Sequence, residues 1–216
     1  MKFIDLSLGR TVFVLTADQR DSRTSADLVP AGVDLVQRAA GDRLAIPVQR
    51  NAGDELQALT GSAAGALAIA LALLRDGGWS VGLGVGSVDT PLPDDIRAGR
   101  GPAFVLARDA VDRAKNAPGR VAVAAADFRA AQDAEAYLRL LVDLRDRRSA
   151  QGWEVADLLE EGLTQKDIAA RLRITPTAVS LRAKAGGLRL EEAAIPALER
   201  TLAALDSGSA TDPVQD

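Results

Sequence analysis

The chain holds no cysteine and no histidine among its 216 residues. The first absence excludes disulfide frameworks, thiolate nucleophiles and Cys-ligated zinc or iron–sulfur centres. The second removes Ser-His-Asp triads, HExxH zinc sites and imidazole acid–base work. Aromatic residues are 3% of the chain, too few for the stacking platforms that hold single-stranded nucleic acid. Long apolar runs are missing too. The longest, Ala63 to Leu74, is twelve residues and mostly alanine, whereas a bilayer core needs about twenty. It reads as a buried helix. The opening Met1-Lys2-Phe3-Ile4-Asp5 is broken at once by Asp5 and is no signal peptide. The expectation is a soluble, cytoplasmic protein without a membrane partner, whose chemistry is confined to carboxylates, Arg, Lys, hydroxyls and a hard metal ion.

What is present is globular: 47% hydrophobic and 26% charged residues, with 26 basic against 30 acidic side chains. That length suits one large domain or two small ones. Residues 1–127 alternate strand-like and helix-like segments. Val12 to Thr16 is a strand opening into TADQRDSR (16–23), and a helix follows from about Ala26 to Ala40. Leu44, Ile46 and Val48 alternate as a half-buried strand, and RNAGDELQAL (50–59) turns into a second one, forming a hairpin. The alanine-rich helix Ser62 to Arg75 stops at Gly77-Gly78. Trp79, Val81, Leu83 and Val85 then alternate with Ser80, Gly82, Gly84 and Gly86, leaving one strand face nearly bare. A helix over Ala103 to Asn116 and a fifth strand over Arg120 to Ala126 complete the region. The order β-α-β-β-α-β with extras predicts an α+β, ferredoxin-like sandwich.

From Asp127 to about Ala150 the pattern is one long linking helix with Leu138, Leu141 and Leu144 on a stripe. That stripe suits either a seam between two copies or a cover for the sheet. Residues 151–206 read as a small all-α domain, and 207–216 as a polar tail. Residues 1–150 carry 19 basic and 19 acidic side chains, against 7 and 11 in the remainder. Yet Gln165 to Arg189 holds Lys166, Arg171, Arg173, Arg182, Lys184 and Arg189 against Asp167 alone, a basic patch in an acidic tail.

GLTQKDIAARLRITPTAVSLRAKAGG (162–187) has helix-turn-helix spacing. Ala169 is the small residue at the helix crossing, Ile168 and Leu172 line the first helix, and Val179 closes the little core. Thr164 caps the first helix; Thr175 caps the second, with Pro176 at its first position. Val155, Leu158 and Leu159 supply a support helix. Arg173 stands where a turn glycine is usual, which predicts another turn geometry. On the second helix Thr177, Ala178, Ser180, Arg182 and Lys184 are the candidate base-reading face, with Leu181 expected to pack inward. Gln165, Lys166, Arg171, Arg173, Thr175 and Arg189 complete the candidate DNA set, the basic ones meeting phosphates. The segment resembles the helix-turn-helix of sigma-factor region 4 and response-regulator output domains over about 35 residues. Double-stranded DNA is the partner this implies, bound by a homodimer on a two-fold site.

In the front region Asp18 follows an apolar strand and Asp54 follows Gly53 at the hairpin. Two such carboxylates suit Mg²⁺, which keeps waters and adds substrate phosphates. The strings TADQRDSR, GDELQAL, VGLGVGSV (81–88) and GRGPAFVLARDAVDRAK (99–115) resemble the SatD family in order and spacing, over roughly residues 11 to 117. The family pattern is met at Asp18, Ser22, Arg23, Gly53, Asp54, Glu55, Gln57, Gly101, Pro102, Ala103, Ala107 and Arg108, with Ala17 and Leu56 as departures. The same elements resemble, more distantly, class III nucleotidyl cyclases and GGDEF domains. That likeness implies metal binding at Asp18 and Asp54 and a charge-stabilising arginine at Arg108. Phe104 stands where the cyclase asparagine belongs, and Ala52 replaces the first GGDEF glycine; both departures count against turnover. Gly82, Gly84 and Gly86 let a ligand or a helix approach the sheet, and Arg20, Arg23, Arg100 and Arg108 are candidates to meet phosphates.

The expected function is a DNA-binding transcriptional regulator whose cyclase-like domain binds a nucleotide or related phosphorylated ligand, with Mg²⁺, without turnover. Its candidate ligand residues are Asp18, Arg23, Gly53, Asp54, Glu55, Gly84, Gly86 and Arg108, and no catalytic residue is assigned. The alternatives are a metal-dependent nucleotide enzyme and an architectural DNA-binding protein with no ligand.

Overall fold

The computed structural model describes residues 12–205. The opening five residues and the polar tail discussed above lie outside them. Five strands and eight helices follow in the order β1 (Val12–Gln19), α1 (Val29–Ala40), β2 (Leu44–Arg50), β3 (Glu55–Thr60), α2 (Ala63–Asp76), β4 (Trp79–Gly86), α3 (Pro102–Ala114), β5 (Val121–Ala124), α4 (Phe128–Asp146), α5 (Ala150–Glu160), α6 (Gln165–Leu172), α7 (Pro176–Ala185) and α8 (Leu188–Ala204). The strands form one sheet in the order β2-β3-β1-β4-β5. Its first four strands have the ferredoxin-like arrangement: β1 is central and antiparallel to both β3 and β4, and β2 pairs antiparallel with β3. The α3 crossover adds β5 parallel to β4, as a parallel pair requires. The chain is thus an α+β sandwich followed by helices.

Local chemistry explains the elements. Val12, Phe13, Val14 and Leu15 are all buried, because β1 sits mid-sheet with both faces covered, which turns alternation into an apolar run. Ser62 caps α2 by accepting from the Gly65 N–H at 3.1 Å. That helix ends where Gly77 takes φ 81°, a left-handed cap that glycine adopts freely. The α1 helix begins at Val29, three residues later than the expected Ala26. The segment before it is tied down by the buried Gln19 amide, which donates to Ser25 Oγ and the Ala26 carbonyl and accepts from the Leu28 N–H.

The bare face of β4 seats α3. A Cβ on Gly82 would stand 2.1 Å from the Val111 nitrogen, and one on Gly84 would stand 2.3 Å from the Ala103 oxygen and the Ala107 nitrogen. Of the two occupants considered for this face, a helix and a ligand, the helix holds it. Gly84 is therefore corrected from ligand residue to packing residue. Gly86 faces the start of α3 at ordinary contact distance, its nearest approach being 3.5 Å. It too belongs to the helix seat. On the opposite face Trp79 packs against Gly32 of α1, where a Cβ would fall 2.4 Å from the indole.

The chain divides into two compact units, residues 12–139 with 198–205, and residues 140–197. The expected linking helix reaches Asp146, not Ala150, because Ser149 starts α5 by accepting from the Gly152 N–H at 3.1 Å. Leu138 and Leu141 of its stripe are buried within the chain. Helix α8 runs through Pro196. Among the described residues, no helix is long and apolar enough to cross a membrane.

Candidate functional site

In the sheet unit, the candidate ligand residues gather at one end of the sheet. Asp18, next to last in β1, pairs in register with Glu55, which opens β3. The hairpin before Glu55 is shaped by Gly53 at φ 55°, a left-handed position suited to glycine. The Gln19 N–H donates to the Asp54 carbonyl at 3.0 Å, fastening the hairpin tip to β1. The Ser22 hydroxyl holds Asp54 below the usual carboxylate range, helped by the charges of Lys115 and Arg23. Burial pushes the Glu55 carboxyl up, against a hydrogen bond from Asn51 and the Arg108 charge.

Lys115, immediately after α3, stands among these carboxylates. Its ammonium lies 3.0 Å from Asp18 and 3.2 Å from Asp112. Burial works against its charge, but the two carboxylates outweigh it and raise its pKa. Sequence reasoning passed over Lys115 and Asn51. The lysine was readable in principle: it follows Arg108 by seven residues, two helical turns, on the same face as Asp112.

Asp18, Arg23, Asp54, Glu55 and Arg108 are thus in one electrostatic neighbourhood, with Gly53 shaping its rim. Arg20 is spent elsewhere, donating to the Gly77 carbonyl at 2.8 Å, and Arg100 is exposed. Phe104 is a core residue packed with Val12, Val14, Ile46, Leu59 and Ile96, so its position offers no polar group to a ligand. Among the described residues, no group of three or more acidic side chains is arranged to hold a metal ion. Of the two aspartates expected to bind metal, Asp18 is paired with Lys115.

In the helical unit, α5, α6 and α7 close around Val155, Leu158, Ile168, Ala169 and Val179, rimmed by Leu159, Leu163, Leu172 and Ile174. Thr164 and Asp167 form a reciprocal capping box at the start of α6. Thr175 accepts from the Ala178 N–H at 3.1 Å to cap α7, with Pro176 in its first turn. Three residues join the two helices. Arg173 takes φ 55° and ψ 42°, and its N–H reaches the Ala169 and Ala170 carbonyls. The expected different turn geometry is therefore corrected: the arginine adopts the left-handed conformation a glycine would, held there by the helix-ending hydrogen bonds.

Val179 turns inward, so the opposite side of α7 presents Thr177, Ser180, Leu181 and Lys184, all exposed. Leu181 is 62% exposed, which corrects its expected inward packing. Arg182 also departs from expectation: it is half-buried and paired with Glu154 of α5 at 3.2 Å, so it braces α7 rather than joining the outward face. Ala178 is half-buried beside it. Arg171 pairs with Glu161 at 3.4 Å, both well exposed, and Gln165, Lys166, Arg173 and Arg189 are exposed. The Thr175 hydroxyl faces its own helix. A groove of about 510 Å³ brings Gln165, Ser180, Lys184 and Arg189 together, gathering polar and cationic groups from the starts of α6 and α8 and from α7.

The comparisons with known proteins are sparse. No family model matches the chain, and no curated protein matches it. Among solved structures, the chain is similar to the crystal structure of a regulator of polyketide synthase expression from Bifidobacterium adolescentis. The identity is 14%, covering 96% of this chain and 84% of that one, at a TM-score of 0.29, a superposition too loose to show a shared fold.

Proposed function

We propose that the chain is a DNA-binding transcriptional regulator, its α6–α7 pair a helix-turn-helix whose second helix enters the major groove. The observation that carries this reading is the capped α6–α7 pair with Lys166, Arg173 and Lys184 exposed on it, its own carboxylate Asp167 being taken up in the α6 cap. Residues 168–190 hold Arg171, Arg173, Arg182, Lys184 and Arg189 and no acidic side chain. Thr177, Ser180 and Lys184 meet base edges. Lys166, Arg171, Arg173 and Arg189 meet phosphates, which position the protein without specifying sequence. The regulator works in the cytoplasm as a homodimer.

The sheet unit is the ligand-binding half of this reading. Arg23, Arg108 and Lys115 receive the phosphates of a nucleotide or related compound, and Asp18 and Asp54 receive the Mg²⁺ it carries. Glu55, raised by burial, stays beside them as a polar wall. Turnover is not part of the proposal, because Phe104 fills the position that would supply a polar group to the reacting phosphate.

The test is binding of the full chain to fragments of its own genome, at two salt concentrations and against competitor DNA. Selective binding that survives competitor, and a salt slope reduced by about one in Lys166→Ala, is the expected outcome. Unselective binding that collapses with salt would overturn it. Adding nucleoside triphosphates with Mg²⁺ should shift the selected affinity, and Asp54→Asn should remove that shift. DNA affinity unchanged by every nucleotide sinks the sensing half alone.

A further inference from the structure

Leu181 stands in the middle of the outward face of α7 with 62% of its surface exposed. Thr177 lies one turn before it, Lys184 one turn after, and Ser180 beside it, all exposed. Val179, two residues back, is fully buried on the inward side. Helix α7 therefore carries a large apolar side chain on each face. The inward one belongs to the core of the unit, and Leu181 lies outside that core.

The charge beside Leu181 is mainly positive: Lys184 is exposed one turn on and shares a groove with Arg189, while Arg182 is paired with Glu154 of α5. Five cations and no carboxylate lie between residues 168 and 190, so the complement of this face is a polyanion with an apolar group set into it. Duplex DNA has such a group: the C5-methyl of thymine, which projects into the major groove among acceptors and donors. A leucine at mid-helix, flanked by hydroxyls and an ammonium, matches that mixture. We infer that Leu181 is a specificity residue that packs on a thymine methyl of the bound duplex. This inference rests on the DNA-binding reading above and names what one position of its site recognises. Cytosine lacks the methyl and adenine places it on the opposite strand, so the contact fixes one base and not merely an A·T pair.

The test uses the full chain and duplexes it selects from a random pool. Each thymine of a selected duplex is replaced in turn by uracil, which differs by the methyl alone. Uracil at the contacted position should weaken wild-type binding about four-fold, the effect of burying roughly one methylene equivalent. Leu181→Ala should bind the thymine and uracil duplexes equally there, while keeping its preferences at other positions. Its melting temperature should equal that of the wild type, because the side chain lies outside the core. Selected duplexes in which no thymine is sensitive to uracil, or a Leu181→Ala protein that still discriminates, overturn the inference and leave DNA binding standing. So does a change of oligomeric state in Leu181→Ala, which would make the leucine a seam between copies. A pool that yields no selected sequence overturns the DNA-binding reading itself, and the contact with it.

Discussion

In the sheet unit, α3 lies on β4 so closely that backbone meets backbone, and alanines and glycines make the contact. In the helical unit, helix ends meet through charge. Arg148, 1% exposed at its side chain, donates to Glu191 and, at 2.9 Å, to the Gly186 carbonyl. Arg145 joins the same carboxylate. Both guanidiniums lie over the Trp153 ring, at 4.2 and 4.9 Å from its centre. The larger unit is held mostly by apolar packing, although Glu135 of α4 is also buried and pairs with Arg113 and Arg139. The smaller one packs α5, α6 and α7 around the cluster of Val155, Leu158, Ile168, Ala169 and Val179, and a capping box at Thr164 and a buried ion cluster supplement it. A small unit cannot bury enough surface to dispense with such staples. That contrast also bears on function, since a unit held by caps and buried ion pairs can present its outward face to a partner without drawing on its core.

The largest expected effect lies in the sheet unit. Gly82→Ala places a Cβ 2.1 Å from a backbone nitrogen of α3, and a backbone atom cannot rotate aside as a side chain can. Overpacking against side chains costs about 1–3 kcal/mol; here the expected loss is about 4 kcal/mol or more. Gly84→Ala should behave alike. Gly86→Ala, whose Cβ would meet α3 at no less than 3.5 Å, should be close to neutral. Urea unfolding of the three variants measures this gradient along one strand. Equal losses at all three would break the account of α3 as seated on bare backbone.

Next in size is the ion cluster. Glu191→Gln leaves Arg148 and Arg145 without their shared carboxylate, and removing one partner of a buried pair costs about 3 kcal/mol. Arg148→Met should cost less, because it removes the charge and leaves Glu191 paired with Arg145. Trp153 belongs to the helical unit and Trp79 to the sheet unit, so fluorescence in a Trp79→Phe background follows the helical unit alone. Glu191→Gln should lower the urea midpoint of Trp153 and leave that of Trp79, read in a Trp153→Phe background, in place. A parallel loss in both would mean that the units unfold as one and that the contrast between them has no energetic content.

What could be read from the sequence was what is local. Thr164 and Thr175 cap by bonds that span three residues, Pro176 suits the first helical position by its fixed φ, and Ile168, Ala169 and Val179 follow from helical spacing, so all were legible. The ferredoxin-like class came through because β-α-β-β-α-β leaves few ways to pair. The far side of α7 was misjudged: Leu181 is two residues from Val179, and two such positions on a helix cannot both face inward. The partner of Arg182 was not legible, since Glu154 lies 28 residues away on another helix. The bare face of β4 looks the same in sequence whether a helix or a ligand covers it. Lys115 was passed over because a lysine at a helix end has a ready solvent reading, and the register of Asp18 with Glu55 that brings it into a carboxylate cluster is a tertiary fact.

The smallest expected effect is also the one that separates stability from function. Arg173 holds φ 55°, a region where an L side chain costs about 1 kcal/mol that glycine avoids. Glycine loses more entropy on folding, roughly 0.5 kcal/mol or somewhat above, so Arg173→Gly should stabilise the helical unit by only about 0.5 kcal/mol. The urea midpoint read at Trp153 should therefore rise slightly. Duplex affinity should move the other way: removing one phosphate contact lowers the salt slope by about one and weakens binding to all sequences alike. The opposite signs matter more than either size. A natural turn residue that is worse than glycine for folding is explained if it meets a phosphate, and it is unexplained if Arg173→Gly binds DNA as well as the wild type. In that case the basic surface of α6 and α7 would have to act through its other cations, and the turn would carry strain with no return in binding.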